Sequence, residues 1–417
     1  MYYMISIRKL YPVLLSLTAL LLALGMTGCI KGKNPTGNNW SDVYPLTYTD
    51  STSFVTGYSF PGSGRVTGTE SKLLCGNYSG EEVMAVMRFT SLPEDFYIPG
   101  GYQDSTYLEL TLVKRSPAQR FPVELSVYKL SQSWVADSTG LIQDANLTLL
   151  TPQAFTIPDS ISSAGTVVKI PLPMDAIENW ESAADTLGFS LAIKTGAESF
   201  TEIMSEDSGR GPKLRFLYQL DSEAESAADR EYGLRATQDS YRVDSDLAPL
   251  LADRWVVSNI SPSRLYVNFA MDYAKFRNTP ENGGGVLNDQ QRKRATINYA
   301  ALVLYVKENP YYGTTLQYSL RGDRVNDSLN VAVPVEISDA QVSSGITSQA
   351  VVRGDSVVVN ITPLIQAYSS GDHEPWGVVI RSMQEMLNFG KMEFWHFTDA
   401  PNGKKPKLLV TYTPPYL

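Results

Sequence analysis

The sequence contains few of the residues from which most metal and catalytic sites are built. Its 417 residues include only two cysteines, Cys29 and Cys75, and only two histidines, His373 and His396. Zinc sites draw mainly on these two residue types, and neither histidine stands in a ligand motif. A Gly-x-Ser-x-Gly elbow, a phosphate-binding loop and a dinucleotide fingerprint are also absent from the sequence. We therefore predict a protein that is not an enzyme and holds no cofactor.

Positive charge is also scarce. The chain has 35 lysines and arginines against 44 aspartates and glutamates, a formal net charge of −9. Affinity for nucleic acid comes mainly from lysine and arginine side chains that neutralise phosphates. The balance therefore predicts that nucleic acid is not a partner.

Only one stretch is long and apolar enough to suggest contact with a membrane. Arg8 and Lys9 precede an apolar run from Val13 to Leu24, and the small residues of Met26-Thr27-Gly28-Cys29 follow it. This is the layout of a secretory signal. With the cysteine directly after the small residues, the segment resembles a bacterial lipoprotein signal, although Met26 stands where leucine is usual. The alternatives are an ordinary signal peptide, or a single anchor helix; in the second case Cys29 would have no function.

The lipoprotein interpretation divides the start of the chain. Residues 1–28 would be removed as signal peptide, Cys29 would carry the lipid, and residues 29–43 would form a flexible tether rich in Gly, Asn and Lys. Removal of Arg8 and Lys9 leaves 33 cations against 44 anions, so contact with anionic lipid should come from the acyl chains alone. Ile30 is not the aspartate associated with inner-membrane retention. By analogy we expect an outer-membrane location, with the periplasmic and extracellular faces both open.

The chain after Tyr44 is typical of an all-β protein. Short runs alternate apolar and polar residues and are separated by Gly, Pro, Asn, Asp and Ser, which is the pattern of strands that bury one face. Met174–Ala184 and Asp221–Leu234 could form short helices or turns, and the second also resembles a module boundary. Cys75, within one such run, is expected in the core. The strands predicted in the first half are Glu82–Phe89, Tyr107–Val113, Val123–Leu130, Thr166–Leu172, Leu187–Lys194 and Lys213–Leu220.

The second half of the sequence repeats the first at a spacing of about 190 residues. The closing runs match best, with Pro-Lys-Leu at residues 212–214 and again at 406–408. Five further runs correspond in the same order. We therefore predict two β-sandwich modules, at residues 44–220 and 241–417, joined by a linker at 221–240. The other pairs are Val86–Phe89 with Leu265–Phe269, Leu108–Val113 with Ala301–Val306, Val123–Leu130 with Thr315–Leu320, Thr166–Ile177 with Ser356–Ala367, and Leu187–Lys194 with Trp376–Arg381.

The order of these runs is similar to that of DNRLRE-type (disaggregatase-related) modules. The residues that carry the resemblance are Arg88-Phe89 followed by Leu92-Pro93, Ser131–Trp134, and the closing Pro406–Thr413. The resemblance implies a jelly-roll-like sandwich in each half, and so an all-β fold of two tandem modules. Such modules recur as non-catalytic parts of secreted and surface proteins, and some are carbohydrate-binding modules. The start of the second module departs from the pattern and carries an insert near residues 278–289.

Two functions follow from these observations. The first is a structural or adhesive role in the cell envelope, because the sequence combines a repeat with missing catalytic motifs. The second is glycan binding through exposed aromatic rings, which stack on sugar faces. Its candidate residues are Tyr311 and Tyr312 in a Pro-Tyr-Tyr-Gly loop, together with Trp376 and Trp395 near strand ends. Partners would thus be the membrane, through the lipid, and an unidentified envelope protein or glycan.

Carboxylates leave two further possibilities. Asp244, Asp246 and Asp253 are close in sequence and would suit structural calcium, although no EF-hand spacing is present. Paired carboxylates for glycoside hydrolysis depend on three-dimensional spacing. We interpret the acidic residues considered for that chemistry as solvated loop charges, and we rank hydrolysis last. They are Glu81, Glu82, Asp144, Asp323 and Asp327. Asp323 completes an Arg-Gly-Asp tripeptide, but so short a match is not evidence of adhesion.

Overall fold

The computed structural model describes residues 43–62, 68–78, 80–90, 96–97, 106–116, 122–151, 153–173, 189–220, 230–245, 254–308, 319–329 and 334–416. The predicted signal peptide, lipidated Cys29 and most of the tether lie outside these residues. So does the predicted turn or helix at Met174–Ala184.

The described chain is mostly antiparallel β-sheet, which confirms the all-β prediction. The six strands predicted in the first half are all present; Lys213–Leu220 has the predicted bounds, and the ends of the others differ by at most three residues. Alternation is clearest in the last strand, where every second side chain is buried. The strands are β1 Leu46–Asp50, β2 Phe54–Pro61, β3 Lys72–Tyr78, β4 Glu81–Phe89, β5 Phe96–Tyr97, β6 Tyr107–Ser116, β7 Glu124–Leu130, β8 Leu147–Leu149, β9 Phe155–Thr156, β10 Thr166–Pro171, β11 Phe189–Thr195, β12 Ser199–Met204, β13 Lys213–Leu220, β14 Arg230–Arg235, β15 Gln238–Ser245, β16 Trp255–Ser258, β17 Ser263–Phe269, β18 Thr296–Glu308, β19 Leu320–Val325, β20 Val342–Arg353, β21 Ser356–Asn360, β22 Val378–Ser382, β23 Lys391–Phe394 and β24 Lys407–Thr413.

In the described part of the chain, two short α-helices accompany the strands, α1 (Asp289–Lys293) and α2 (Thr362–Ser370). Helix α2 stands where the repeat predicts only a short apolar turn. A proline in its first turn and Gly371 in the left-handed conformation at its end explain both boundaries. The described residues also include six 3-10 turns, at Ala136–Leu141, Asp144–Asn146, Glu206–Ser208, Tyr273–Lys275, Pro280–Asn282 and Asp339–Gln341. Within the described ranges, no helix has the length and apolar character to cross a membrane.

Strand pairing sorts the described strands into two units. The first unit contains the 13 strands β3 to β15, and the second contains the 11 strands β1, β2 and β16 to β24. The first unit is therefore continuous in sequence and is inserted between β2 and β16 of the second.

The two units share one pairing scheme. Strand β13 lies between β6 and β14 in the first unit, as β24 lies between β18 and β1 in the second. Strand β4 pairs with β3, β11 and β15, as β17 pairs with β16, β22 and β2. Strand β12 bridges β3 and β6, as β23 bridges β16 and β18. By this scheme β1 and β2 correspond to β14 and β15.

The correspondence reveals an exchange between the two sequence repeats. Strands β1 and β2 precede the first unit in sequence but pair with β24 and β17 of the second. Strands β14 and β15 precede the second unit but pair with β13 and β4 of the first. Each repeat thus contributes its first two strands to the other unit. The pairing therefore differs from the predicted boundaries, because residues 221–240 include strand β14, and part of this predicted linker is sheet.

Each unit has its own apolar core. The core of the second unit includes Phe54 from β2, with Leu46 and Tyr48 of β1 packed against it. The core of the first unit includes Leu234, which is the last apolar residue of β14. The exchanged strands therefore bury apolar area in the unit that receives them, which makes their removal costly.

Candidate ligand site at the junction of the two units

A small apolar cluster joins the two units. Leu74, Val83, Phe200 and Tyr241 from the first unit pack against three residues of the second, Ile260, Met386 and Phe389. The rings of Phe200 and Phe389 stack with centroids 4.6 Å apart. The junction leaves no room at Gly76, where an added Cβ would lie 2.4 Å from Phe200 Cβ and 2.6 Å from Phe389 Cζ. We name this set the junction cluster.

The loop between β22 and β23, residues 383–390, supplies the second unit's part of the junction. It is fastened to Asn259, whose backbone nitrogen donates to the Gly390 carbonyl and whose carbonyl accepts from the Met386 nitrogen, each at 2.8 Å. The Tyr241 hydroxyl of the first unit donates to the Met386 carbonyl. Met386 has a φ of +65°, a conformation that is strained for a residue with a side chain. Such strain persists only where surrounding contacts hold it.

A cavity of about 400 Å³ lies beside the junction cluster. Both units contribute to its walls, so neither could form it alone. The wall from the first unit comes from the start of β3, from β6 and from β12, and the wall from the second comes from the loop at 383–390. The lining residues are Glu70, Ser71, Lys72, Val113, Lys114, Glu202, Gln384, Met386, Leu387 and Asn388. We name this cavity the junction pocket.

A buried carboxylate held by two lysines forms the charged side of the pocket. Glu202 Oε2 accepts a hydrogen bond from Lys72 Nζ at 2.7 Å, and Glu202 Oε1 lies 3.6 Å from Lys114 Nζ. The Glu202 side chain is only 4% exposed, whereas those of Lys72 and Lys114 are 45% and 24% exposed. Burial lowers the pKa of Lys114, and the neighbouring Glu202 opposes that effect. Both ammonium groups therefore border open space while the carboxylate anchors them.

Two amide side chains form the opposite side. Asn388 Oδ1 accepts from Asn259 Nδ2 at 2.6 Å and from the Gly390 nitrogen at 2.7 Å. Asn388 Nδ2 donates to Gln384 Oε1 at 3.1 Å. This chain of bonds fixes the Gln384 amide and uses its oxygen. Its NH2 group has no protein partner in the described part of the chain, and it can donate to a ligand.

Glu81 is a second buried carboxyl at the junction. It is 2% exposed, and in the part of the chain that the structure describes its Oε1 has no hydrogen-bond partner. Burial raises its pKa to about 7, against the opposing effects of Lys391 and of a hydrogen bond from the Ser261 backbone. Both of those residues belong to the second unit. The interpretation of Glu81 as a solvated loop charge is therefore wrong.

The two described residues that were predicted to bind glycans, Trp376 and Trp395, lie in separate places. Tyr311 and Tyr312 lie outside the described residues. Trp395 is half-buried at the end of β23, where its backbone nitrogen donates to the Tyr305 carbonyl at 2.8 Å. Lys307 Nζ lies 5.2 Å from the centre of the Trp395 ring. The ammonium groups of two further lysines lie near the neighbouring Tyr305 ring, Lys404 at 5.4 Å and Lys407 at 5.3 Å.

Trp376 belongs to a different surface. It is half-buried and packs against a buried cluster that contains Tyr58 and Tyr266, on the outer face of the second unit. Its carbonyl accepts a hydrogen bond from the Tyr266 hydroxyl at 2.7 Å. Trp134 is buried, and its ring nitrogen donates to Ser190 at 3.1 Å. The structure thus brings neither Trp376 nor Trp395 to the junction pocket.

Cys75 and the histidines have structural surroundings. The Cys75 thiol is completely buried in the first core, as expected, and burial raises its pKa to about 12. A thiol with that pKa is protonated and unreactive at neutral pH. His396 lies edge-on to the Trp255 ring, with centroids 5.0 Å apart, and His373 is exposed in the loop after α2.

The remaining acidic candidates are mostly committed to arginines. Arg242 donates to Asp244 and, at 2.6 Å, to Asp144. Asp244, one of the three aspartates considered for calcium, is therefore already paired with an arginine. Asp246 and Asp253 lie outside the described residues. Asp323 is fully buried on β19, where Arg321 and Arg381 reach its Oδ2 at 3.1 and 2.7 Å. It is not a solvated loop charge, and its tripeptide is not an exposed adhesion loop.

Within the described ranges, no group of three or more His, Cys, Asp or Glu side chains is arranged to hold a metal ion. The junction pocket was not predicted from the sequence, because its residues come from three strands and one loop that are far apart in the chain. One signal was available. Glu202 stands in SFTEIM, a strand in which five of six residues are buried, so its carboxylate needs nearby cations.

No family model matches the chain, and neither the curated proteins nor the solved structures include a significant match.

Proposed function

We propose that this protein is a non-catalytic lipoprotein of the outer membrane, anchored through Cys29, with a structural or adhesive role in the envelope. Its body would consist of two sandwich modules of the jelly-roll type. The observation that carries the proposal is the exchange of strands between the two sequence repeats. It ties both halves of the chain and the segment after the tether into one arrangement.

The exchange matters for how an anchor would hold the body. Strand β1 begins three residues after the predicted tether and pairs with β24 over five residues, Leu46 to Asp50. Strand β2 pairs with β17 over seven. A pull on the anchor would therefore act on backbone ladders of the second unit, which resist rupture together. The first unit would be carried outside that line of force.

Side chains reinforce the attachment of β1. The buried Asp50 carboxylate accepts from Thr52 at 2.8 Å and pairs with Lys275 Nζ at 2.7 Å. These contacts outweigh the effect of burial and hold the pKa of Asp50 well below its usual range. Since Lys275 lies in the second unit, the ion pair favours the observed position of β1 there.

Three of the buried titratable groups support a role without catalysis. Cys75 is protonated in a core, and the buried carboxylates Glu202 and Asp323 are paired with lysines or arginines. Such pairs are what charged groups need in order to be buried. They do not resemble the poised acid and base of a hydrolase.

A substitution at the anchor tests the proposal. Wild type, Cys29→Ser and the matched control Cys75→Ser are expressed in a Gram-negative host with a labelled fatty acid. We expect lipid on wild type and on Cys75→Ser, both in the outer-membrane fraction, and none on Cys29→Ser. Lipid on Cys29→Ser, or an inner-membrane location, would contradict the anchor.

The envelope role needs a separate experiment in the native cell. A deletion strain should become more sensitive to detergent and osmotic shock or lose adhesion, and wild type should restore it where Cys29→Ser does not. In-cell crosslinking should recover envelope proteins. A deletion strain indistinguishable from its parent in all these measurements would refute the structural or adhesive role.

Glycan binding is the second candidate, and the surface around Trp395 favours it. Two half-buried aromatic residues, Trp395 and Tyr305, are joined by a backbone hydrogen bond there, and lysine ammonium groups lie near each ring. Aromatic faces with adjacent hydrogen-bond donors suit a polysaccharide. Tyr311 and Tyr312 follow Lys307 closely in sequence.

Affinity electrophoresis in a panel of polysaccharides, with and without calcium, tests this candidate. Residues 30–417, which include every described strand, should be retarded by at least one polysaccharide. Trp395→Ala and the double substitution Tyr311→Ala with Tyr312→Ala should abolish the retardation. The matched control Tyr299→Ala, at an exposed tyrosine of β18, should not. No retardation in any gel would refute glycan binding by this surface.

A further inference from the structure

We propose that the junction pocket is a binding site for an uncharged, hydroxyl-rich ligand, and specifically for a single neutral sugar unit. This site does not depend on the lipid anchor or on the surface around Trp395. It lies between the units, and neither Trp376 nor Trp395 lines it.

The size of the pocket fits such a ligand. Its volume of about 400 Å³ falls at the lower end of small-molecule sites, which run from about 300 to 1,000 Å³. A site of this size accommodates one sugar ring with its substituents, whereas an extended oligosaccharide would protrude from it.

The charges around the pocket favour a ligand with no charge. The lining carries two ammonium groups, Lys72 and Lys114, and two carboxylates, Glu202 and Glu70, so its formal charge is zero. An anion would have to compete with Glu202, which already bonds Lys72 at 2.7 Å. A cation would meet the same two lysines. The pocket as a whole therefore compensates neither the charge of an anionic ligand nor that of a cationic ligand.

The mixture of donors and acceptors favours hydroxyl groups. A hydroxyl donates one hydrogen bond and accepts others, so one group can bond Glu202 and a lysine together. Lys72 and Lys114 retain hydrogens after each contacts Glu202, because an ammonium group has three. Gln384 adds its NH2 group from the other unit, since its Oε1 is already used by Asn388.

An apolar strip completes the site. Val113, Met386 and Leu387 line the pocket beside these polar groups, and Leu387 is 50% exposed. A sugar ring has polar edges and C–H faces, so it can contact both kinds of wall. Small-molecule sites commonly combine an apolar lining with a few fixed polar groups.

The geometry also predicts a consequence for the whole body. Because Lys72, Lys114 and Glu202 belong to the first unit and Gln384 and Leu387 to the second, a bound sugar contacts both units. Binding energy is then available only while the junction is closed. The ligand should therefore stabilise the junction in proportion to its occupancy.

The test compares sugars that differ in charge. Residues 30–417 are titrated with methyl α-D-glucopyranoside, methyl β-D-galactopyranoside, methyl α-D-mannopyranoside and N-acetylglucosamine, by calorimetry and by saturation-transfer NMR. Glucuronate, glucosamine and glycine serve as anionic, cationic and zwitterionic probes. We expect at least one neutral sugar to bind, and each charged probe to bind about tenfold more weakly or not at all.

Variants assign the binding to this pocket. Lys114→Met removes a charged donor and should weaken binding about tenfold or more. Leu387→Trp places a bulky ring at a half-exposed position of the lining and should abolish binding without altering either core. Lys169→Met is the matched control at an exposed lysine of β10, outside the pocket, and should bind as wild type does. If Lys114→Met does not fold, Leu387→Trp decides alone.

Three results would overturn the proposal. One is the absence of binding by all four neutral sugars. The second is stronger binding of a charged or zwitterionic probe than of any neutral sugar. The third is binding that survives Leu387→Trp, which would place the sugar elsewhere, for example at the surface around Trp395.

Discussion

The ring of Phe200 stacks on the ring of Phe389 across the junction of the two units, with centroids 4.6 Å apart. Phe200 comes from strand β12 of the first unit and Phe389 from the loop before β23 of the second. Both side chains are buried, at 1% and 2% exposure. This pair is the centre of the only described apolar cluster that draws residues from both units. It makes the junction a packed interface and also forms the surroundings of the junction pocket.

Truncation of this pair should destabilise the protein. Phe389→Ala removes a buried ring and leaves a cavity, so the free energy of unfolding should fall by about 3–5 kcal/mol in urea titrations. Phe389→Leu is the matched control and should cost less. In a double-mutant cycle, Phe200→Ala and Phe389→Ala should couple by roughly 0.5–1.5 kcal/mol. Additive effects would indicate that the two rings do not stabilise each other.

The exchange of strands predicts where a disulfide can form. Thr47 of β1 and Thr411 of β24 are register partners, and their hydroxyl oxygens lie 2.8 Å apart. Thr47→Cys with Thr411→Cys should therefore oxidise readily within one chain, as seen by mass spectrometry after proteolysis.

A mismatched pair provides the control. Arg215 of β13 corresponds to Leu409 of β24, which is the register partner of Thr49. Thr49→Cys with Arg215→Cys would oxidise only if β1 lay in the first unit, and we expect no bond. A bond in this control, and none between positions 47 and 411, would show that each repeat keeps its own strands.

Fragments should follow the units and not the sequence repeats. Residues 68–245 contain every strand of the first unit and should give a dispersed NMR spectrum. Residues 230–417 contain a whole repeat but lack β1 and β2, so they should remain poorly folded. A peptide of residues 43–62 should restore their structure, because it supplies the strands that pair with β24 and β17. Independent folding of residues 230–417 would contradict this prediction.

Glu81 should make stability depend on pH. Its pKa is about 7 in the folded protein and 4.5 in its ordinary state. Between these values the folded state binds the proton and the unfolded state does not. The contribution of Glu81 to the free energy of unfolding is therefore fully present below about pH 4.5 and is lost as the pH rises to about 7.

Glu81→Gln tests this effect because it keeps the shape and removes the charge. At pH 8 the free energy of unfolding of the variant should exceed that of wild type by roughly 3 kcal/mol, and at pH 4 the difference should largely vanish. Glu82→Gln, at the neighbouring less-buried carboxylate, is the control and should show no such gain. The buried Asp239, whose pKa burial also raises to about 7, should leave some pH dependence in every variant. Equal stability of wild type and Glu81→Gln at pH 8 would contradict the prediction.

Part of the candidate site could be foreseen from the sequence. Strand β6, which carries Lys114, extends the predicted run Tyr107–Val113, whereas strand β12, which carries Glu202, was not predicted because its burial does not alternate. Glu202 is nonetheless conspicuous among its buried neighbours. The loop that carries Gln384 and Met386 has no periodic pattern, and its position depends on Asn259 more than 100 residues earlier. Local composition therefore gave no sign that these residues meet in one pocket.

The sequence by itself determined the all-β class, the six strands predicted in the first half and the order of the two repeats, because alternation and turn residues act over a few neighbouring positions. Only the tertiary structure decided which unit each exchanged strand joins. The two repeats offer equivalent places beside β13 and β4, or beside β24 and β17, so a periodic pattern cannot choose between them. The choice depends on contacts between distant residues, such as Asp50 with Lys275 and Arg242 with Asp144. The junction pocket exists because that choice brings the two units together.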